Sequence, residues 1–215
     1  MPSIAQYERA ALADLLSEVG PEAPTLCEGW AARDLAAHLV VRERRPDAGP
    51  GLVVKPLARW TGMVQRRYAT RPFDELVELV RTGPGPFSAF SLPGVDTFLN
   101  TTEYVVHHED VRRARPGWAP RTLPRAVQDG LWRAVAARAS LAFRATGCGV
   151  VLQRSDVADR ETSAVQAAKG SPTAVVAGEP LEVLLFLFGR RAVARVEVSG
   201  DDAAVAAVLG TRLDV

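Results

Sequence analysis

Apolar residues recur at helical spacing through the first two-thirds of the chain. Over residues 3–19, Ile4, Ala11, Leu12, Leu15, Leu16 and Val19 fall on one face of a 3.6-residue period. Ser3 and Gln6 have the spacing of a capping box at its start. Pro21 and Pro24 end that helix. A second run, AARDLAAHLVVRERR, follows Trp30 and stops before Pro46. Its apolar face carries Leu35, Leu39 and Val41, and its arginines gather at the C-terminal end, where the helix dipole favours cations. DAGPG reads as a loop, and residues 56–69 and 73–81 predict a helix pair broken at Pro72. GPGPFSAFSLPG, residues 83–94, predicts a long irregular connection. Asp96 is placed to cap a helix running to Arg113. Beyond Pro116 and Pro120, LPRAVQDGLWRAVAARASLAFRA predicts the last long helix.

The texture changes at Gly147. GVVLQRSD, PTAVVAG and AVARVEVSG are β-branched runs of strand length. Between and after them lie two helical stretches, Glu179–Phe188 and Asp201–Leu209, each followed by glycine, with Pro180 at the first helical position. The expected fold class is therefore α+β. A helical bundle spans residues 1–146 and a small sheet-containing domain spans 147–215.

Bulk properties narrow the function classes. A chain of 215 residues that is 47% hydrophobic and 24% charged can bury a core without staples. A net charge of +1, with arginines scattered among acids, provides no field for nucleic acid or an anionic membrane surface. Cys27 and Cys148 are far apart and form no CxxC pair, so a reducing compartment is the default. The amphipathic, acid-containing N-terminus does not read as a signal peptide. VLLFLF, the longest apolar run, falls well short of the ~20 residues a bilayer span needs. These features predict a cytoplasmic protein with no nucleic-acid or membrane partner. Monomer and homodimer both fit.

Histidine carries the chemistry. The chain has three, and two of them lie in NTTEYVVHHEDVRR, residues 100–113. Glu103 and His107 are four apart, so a helix projects both from one face. Asn100 and Asp110 lie near that face, whereas His108 and Glu109 are offset and read as supporting or solvated groups. A third ligand has to come from another helix, and His38 is the remaining histidine. Bundle cores build metal sites from inward side chains on facing helices. A His, His, Glu set suits Zn²⁺, with Ni²⁺, Mn²⁺ or Fe²⁺ as alternatives, and three protein ligands leave a tetrahedral position open. The competing reading is a surface Glu–His ion pair and a core histidine, and spacing alone does not choose between them. No residue is assigned a catalytic role. Arg42, one turn after His38, Arg45 beyond it, and Asn100 are candidate contacts for an anionic substrate or polar thiol. A solvated basic helix end is the alternative for the arginines. Trp30 reads as a packing anchor. Cys27, with no histidine near it in sequence, carries little weight as nucleophile or fourth ligand. Trp60, Tyr68, Phe87, Phe90 and Phe98 suit either a pocket lining or core packing, and PGPFSAF is long enough for a lid.

LCEGWAARDLAAHLVVRERR resembles the GW-x-x-x-D-L-x-x-H-L segment of the DinB/YfiT-like helical bundles. More specifically, it resembles the actinobacterial proteins similar to mycothiol-dependent maleylpyruvate isomerase. EYVVH is similar to the later E-x-x-x-H helix of that group, and LEVLLFLFGRR with VSGDD to its small C-terminal α/β domain. The resemblance implies that His38, Glu103 and His107 ligate a divalent metal, and that mycothiol is a cosubstrate acting on a small electrophile by transfer or isomerisation. Two departures stand out. Ala31 replaces the usual helix-capping Ser or Thr, and the RERRPDAGPG and 83–94 segments point to a separate subgroup, so maleylpyruvate itself is not carried over. Hydrolysis by metal-activated water and non-catalytic metal binding remain the alternatives.

Overall fold

The structure, a computed structural model, describes residues 3–48, 54–85, 88, 100–158 and 163–213. Asp96, Phe87, Phe90, Phe98 and most of the 83–94 connection lie outside these residues. The chain forms two compact units, Met1–Pro120 and Arg121–Val215.

The first unit is helical: α1 (Ile4–Val19), α2 (Ala32–Arg44), a short 3-10 turn at Lys55–Leu57, α3 (Ala58–Ala69), α4 (Phe73–Thr82) and α5 (Thr101–Arg113). The start of α1 is the capping box expected from Ser3 and Gln6, with each side chain bonded to the other's backbone N–H at 3.2 and 2.8 Å. Helix α2 has only half of one. Asp34 accepts from the Ala31 N–H at 3.1 Å, but alanine offers no oxygen in return. Packing of α1 against α5 and α4, and of α2 against α4 and α3, encloses a core that includes Leu12, Leu16, Leu35, Leu39, Leu76, Val80 and Tyr104. The core also holds polar groups. Arg9 Nε donates to the Tyr104 hydroxyl at 2.9 Å, and that hydroxyl donates in turn to Glu43. Gly83, at φ +74°, ends α4 directly against the Arg9 guanidinium, which a Cβ there would have to displace.

The second unit comprises α6 (Arg125–Ala142), β1 (Gly149–Arg154), β2 (Ala164–Ala168), β3 (Thr173–Gly178), α7 (Pro180–Leu187), β4 (Glu197–Gly200) and α8 (Asp202–Gly210). The strand order is β2-β1-β3-β4, with β1 parallel to β3 and both edge strands antiparallel to their neighbours. Val150, Leu152, Ala174 and Val176 pair in register on one fully buried face. Helix α7 contributes Leu181, Leu184, Leu185 and Phe186 to this core. Helix α6, which periodicity alone groups with the preceding helices, packs on α7 and β2, so the compact units divide at 120/121 rather than at 146/147. Two strand readings also shift. AVARVEVSG is extended only from Glu197, and β2 forms on AVQAA, whose alanines lack the β-branched signal.

Candidate metal centre

Helix α2 presents His38 and α5 presents Glu103 and His107 to one point. Oε1 of Glu103 lies 3.1 Å from Nε2 of His38 and 3.3 Å from Nε2 of His107. The two imidazoles meet edge to face, with centroids 5.3 Å apart. On α5, the four-residue spacing stacks Glu103 and His107 one turn apart, which is why a single carboxylate oxygen serves both rings.

Each ring is held differently. Nδ1 of His107 lies 2.9 Å from Oδ2 of Asp110, a fully buried carboxylate one turn further along α5. This contact turns Nε2 towards Glu103, the usual way a carboxylate orients a ligating histidine. His38 packs against the Trp30 indole, centroid to centroid 5.0 Å, and its buried Nδ1 has no hydrogen-bond partner among the described residues. Arg42 donates through Nη1 to Asn100 Oδ1 at 2.6 Å and brings Nε to 3.5 Å from Glu103 Oε1. Arg42 and Asn100 are thus beside the carboxylate. Arg45 is elsewhere. It forks onto Asp47 at 2.6 and 2.8 Å and lies over the Tyr68 ring.

The electrostatics are asymmetric. Burial lowers the pKa of His38, with the charges of His107 and Arg42 acting in the same direction and the Glu103 hydrogen bond opposing them. Burial also acts to lower that of His107, but hydrogen bonds to Asp110, Cys27 and Glu103 outweigh it and raise the pKa well above the ordinary value. Burial acts to raise that of Glu103, yet His107, His38 and Arg42 hold it well below the usual carboxylate range. The Glu103 carboxylate therefore lies between one imidazole whose pKa is lowered and one whose pKa is raised.

The donors fit a divalent cation. Bonds of ~2.0–2.1 Å to nitrogen and oxygen in a tetrahedron set donor–donor edges of roughly 3.3–3.4 Å. The 3.1 and 3.3 Å separations at Glu103 are close to that edge. Two imidazoles and a carboxylate are borderline donors suited to zinc and its first-row neighbours.

Sequence reasoning missed two features. Cys27, set aside for want of a nearby histidine, has Sγ 3.2 Å from Asp110 Oδ2 and 3.9 Å from His107 Nδ1. His108 and Glu109 are buried rather than solvated. His108 pairs with Glu8 of α1 at 3.1 Å, and Glu109 with Arg113 and Arg112 at 2.5 and 3.0 Å. Their offset of about 100° per residue already placed them off the Glu103/His107 face, but burial against α1 and Arg113 is not readable from spacing. Of the aromatics considered as a pocket lining, Tyr68 packs on the core while Trp60 is exposed.

A helical bundle holding a two-histidine, one-carboxylate cluster, with a small mixed-sheet unit on the same chain, is the class these features define. No family model and no curated protein matches the sequence. Among solved structures, the crystal structure of a mycothiol-dependent maleylpyruvate isomerase matches with a TM-score of 0.60 at 18% identity, covering 92% of this chain and 91% of that one. A histidine-to-alanine variant of that enzyme matches with a TM-score of 0.59 at the same identity and coverage. The chain shares its fold with that isomerase, the α+β arrangement that the resemblance implied. No helix among the described residues is long and apolar enough to cross a membrane.

Proposed function

We propose that the bundle binds one divalent cation, of the zinc type, through His38 Nε2, Glu103 and His107 Nε2. In this reading the centre activates a low-molecular-weight thiol of the mycothiol kind for isomerisation of, or transfer to, a small electrophile. The observation that carries it is the single Glu103 oxygen within 3.1 and 3.3 Å of imidazole nitrogens from two helices. The thiol is supported by the fold shared with an enzyme described as mycothiol-dependent.

A bound divalent cation supplies the Lewis acidity that deprotonates a thiol, whose ordinary pKa is about 8.5. The chain's own residues do the rest. Asp110 holds the His107 ring in orientation, Trp30 packs the His38 ring, and Arg42 with Asn100 fixes the Glu103 carboxylate. Three protein donors are one short of a tetrahedron, as in catalytic rather than structural zinc sites.

Metal analysis of the purified protein and of His38→Ala and Glu103→Ala tests the ligands, and a full metal complement in both variants removes the assignment. Thermal-shift titration of metal-loaded protein with mycothiol, glutathione and no thiol, with His107→Ala as control, tests the cosubstrate. The expected result is stabilisation by mycothiol in the wild type only. Turnover of an ester or amide without thiol, and no thiol-dependent shift, would replace this reading with hydrolysis.

A further inference from the structure

The Nδ1 edge of His107 faces a second set of donors that the centre proposed above does not use as ligands. Asp110 Oδ2 lies 2.9 Å from Nδ1, and Cys27 Sγ lies 3.2 Å from that oxygen and 3.9 Å from the nitrogen. These three donor atoms all lie within 4.8 Å of one another. At zinc bond lengths, ~2.3 Å to sulfur and ~2.0–2.1 Å to nitrogen and oxygen, tetrahedral donor–donor edges are roughly 3.3–3.6 Å, and a larger thiophilic ion spreads the donors further. Movements of a few tenths of an ångström in three side chains meet the zinc edges, and opening of the 2.9 Å contact between Nδ1 and Asp110 admits the larger ion.

The scaffold beneath these donors is tied together. Cys27 sits on the loop before α2, closed by an antiparallel bridge between Pro24 and Ala31. Within it the Thr25 hydroxyl donates to the Trp30 carbonyl at 2.7 Å and accepts from the Cys27 N–H at 3.2 Å. The Leu26 N–H donates to the backbone carbonyl of Asp110 itself at 3.1 Å. Loop and helix are thus joined through the backbone at the residues whose side chains converge. Asp110 is fully buried and Cys27 half-buried.

We propose that Cys27, Asp110 and Nδ1 of His107 form a second cation site, selective for thiophilic divalent ions such as cadmium, that shares the His107 ring with the first. Sulfur gives it the softer donor set of the two centres. Binding forms metal–sulfur, metal–nitrogen and metal–oxygen bonds and releases to solvent the thiol proton and the proton on Nδ1, with no change of oxidation state. Its ligands include neither His38 nor Glu103, so the site stands whether or not the thiol reading does. Occupancy replaces the hydrogen bond between Asp110 and His107 with a bond from Nδ1 to the cation, so a thiophilic ion changes what orients the ring that serves the first centre.

The test is a titration of metal-free, full-length protein with cadmium alone, followed by the ultraviolet sulfur-to-cadmium charge-transfer band. A saturable band is expected in the wild type, in His38→Ala and in Cys148→Ser. It is expected to vanish in Cys27→Ser and to need more cadmium in Asp110→Asn, with circular dichroism confirming that each variant is folded. A missing band in the wild type, a band that survives in folded Cys27→Ser, or one that disappears with Cys148, overturns the proposal. His38→Ala separates the two centres. Loss of the first site's metal with retention of the band keeps this site independently of the function proposed above.

Discussion

Tyr104 on α5 donates its buried hydroxyl to Glu43 on α2, and these are the two helices that supply Glu103 and His38. Glu103 and Tyr104 are consecutive, so they leave α5 about 100° apart, one towards the candidate metal centre and the other into the core. The core hydrogen bond therefore ties α5 to α2 one residue away from Glu103. Tyr104→Phe removes the O–H from Glu43 and the acceptor from Arg9. The expected cost is about 1–3 kcal/mol, seen as a lower urea midpoint with an unchanged slope. Weaker metal binding by the still-folded variant completes the prediction, and unaltered affinity would show that α5 is positioned without this contact.

Asp110 orients His107 from outside the proposed first coordination shell. Asp110→Asn keeps the shape and loses the charge, so metal affinity at the first centre should fall by about 10–100-fold. Chelator competition measures this, with far-ultraviolet circular dichroism as the control for folding.

Metal should stabilise the folded chain by mass action. With free zinc at about 100 times its dissociation constant, the gain over chelator-treated protein should be about 2.7 kcal/mol. The same addition should raise the melting temperature of His38→Ala less than that of the wild type. A zinc-dependent rise in that variant equal to the wild type's would contradict the ligand set.

The second unit carries its own pH dependence. Arg154 forks onto Asp156 at 2.7 Å through both nitrogens and reaches Asp129 at 2.8 Å. The hydrogen bond from Arg154, opposed by burial, holds the Asp156 carboxyl below its usual value. A depressed folded pKa means that the unfolded chain binds more protons in the acid range. The stabilisation is thus fully present above the unfolded pKa of ~3.9 and is lost as pH falls through the lower folded value. Urea stability followed from about pH 7 down to about pH 2 should fall less steeply below about pH 4 in Asp156→Asn than in the wild type. Parallel acid limbs would show that the ion pair contributes nothing.

Much of this was legible in the sequence because it is local. The Ser3/Gln6 cap, the breaks at Pro21 and Pro72, the Pro180 start of α7 and the turn at Gly147 are each settled within a few residues. The Glu103/His107 pair was legible for the same reason, since helical pitch alone places both on one face. Strand β2 was not, because AVQAA has a single β-branched residue, Val165, and pairs with β1 all the same. Arg42 and Arg45 show the same limit at the centre. They are three residues apart on one helix end, yet one is committed to Asn100 and Glu103 and the other to Asp47.

Helix positions, the change from bundle to sheet-containing unit, and the residue types able to hold a cation were determined by the sequence by itself. They follow from periodicity and side-chain chemistry, which act over one or two turns. Only the tertiary structure decided that α6 packs with the sheet, that His38 meets Glu103, and that Cys27 comes to rest against Asp110, 83 positions further along the chain. Those outcomes depend on how buried faces dock and on the directions in which side chains leave their helices. Spacing along a chain does not encode the distance between two atoms on different elements.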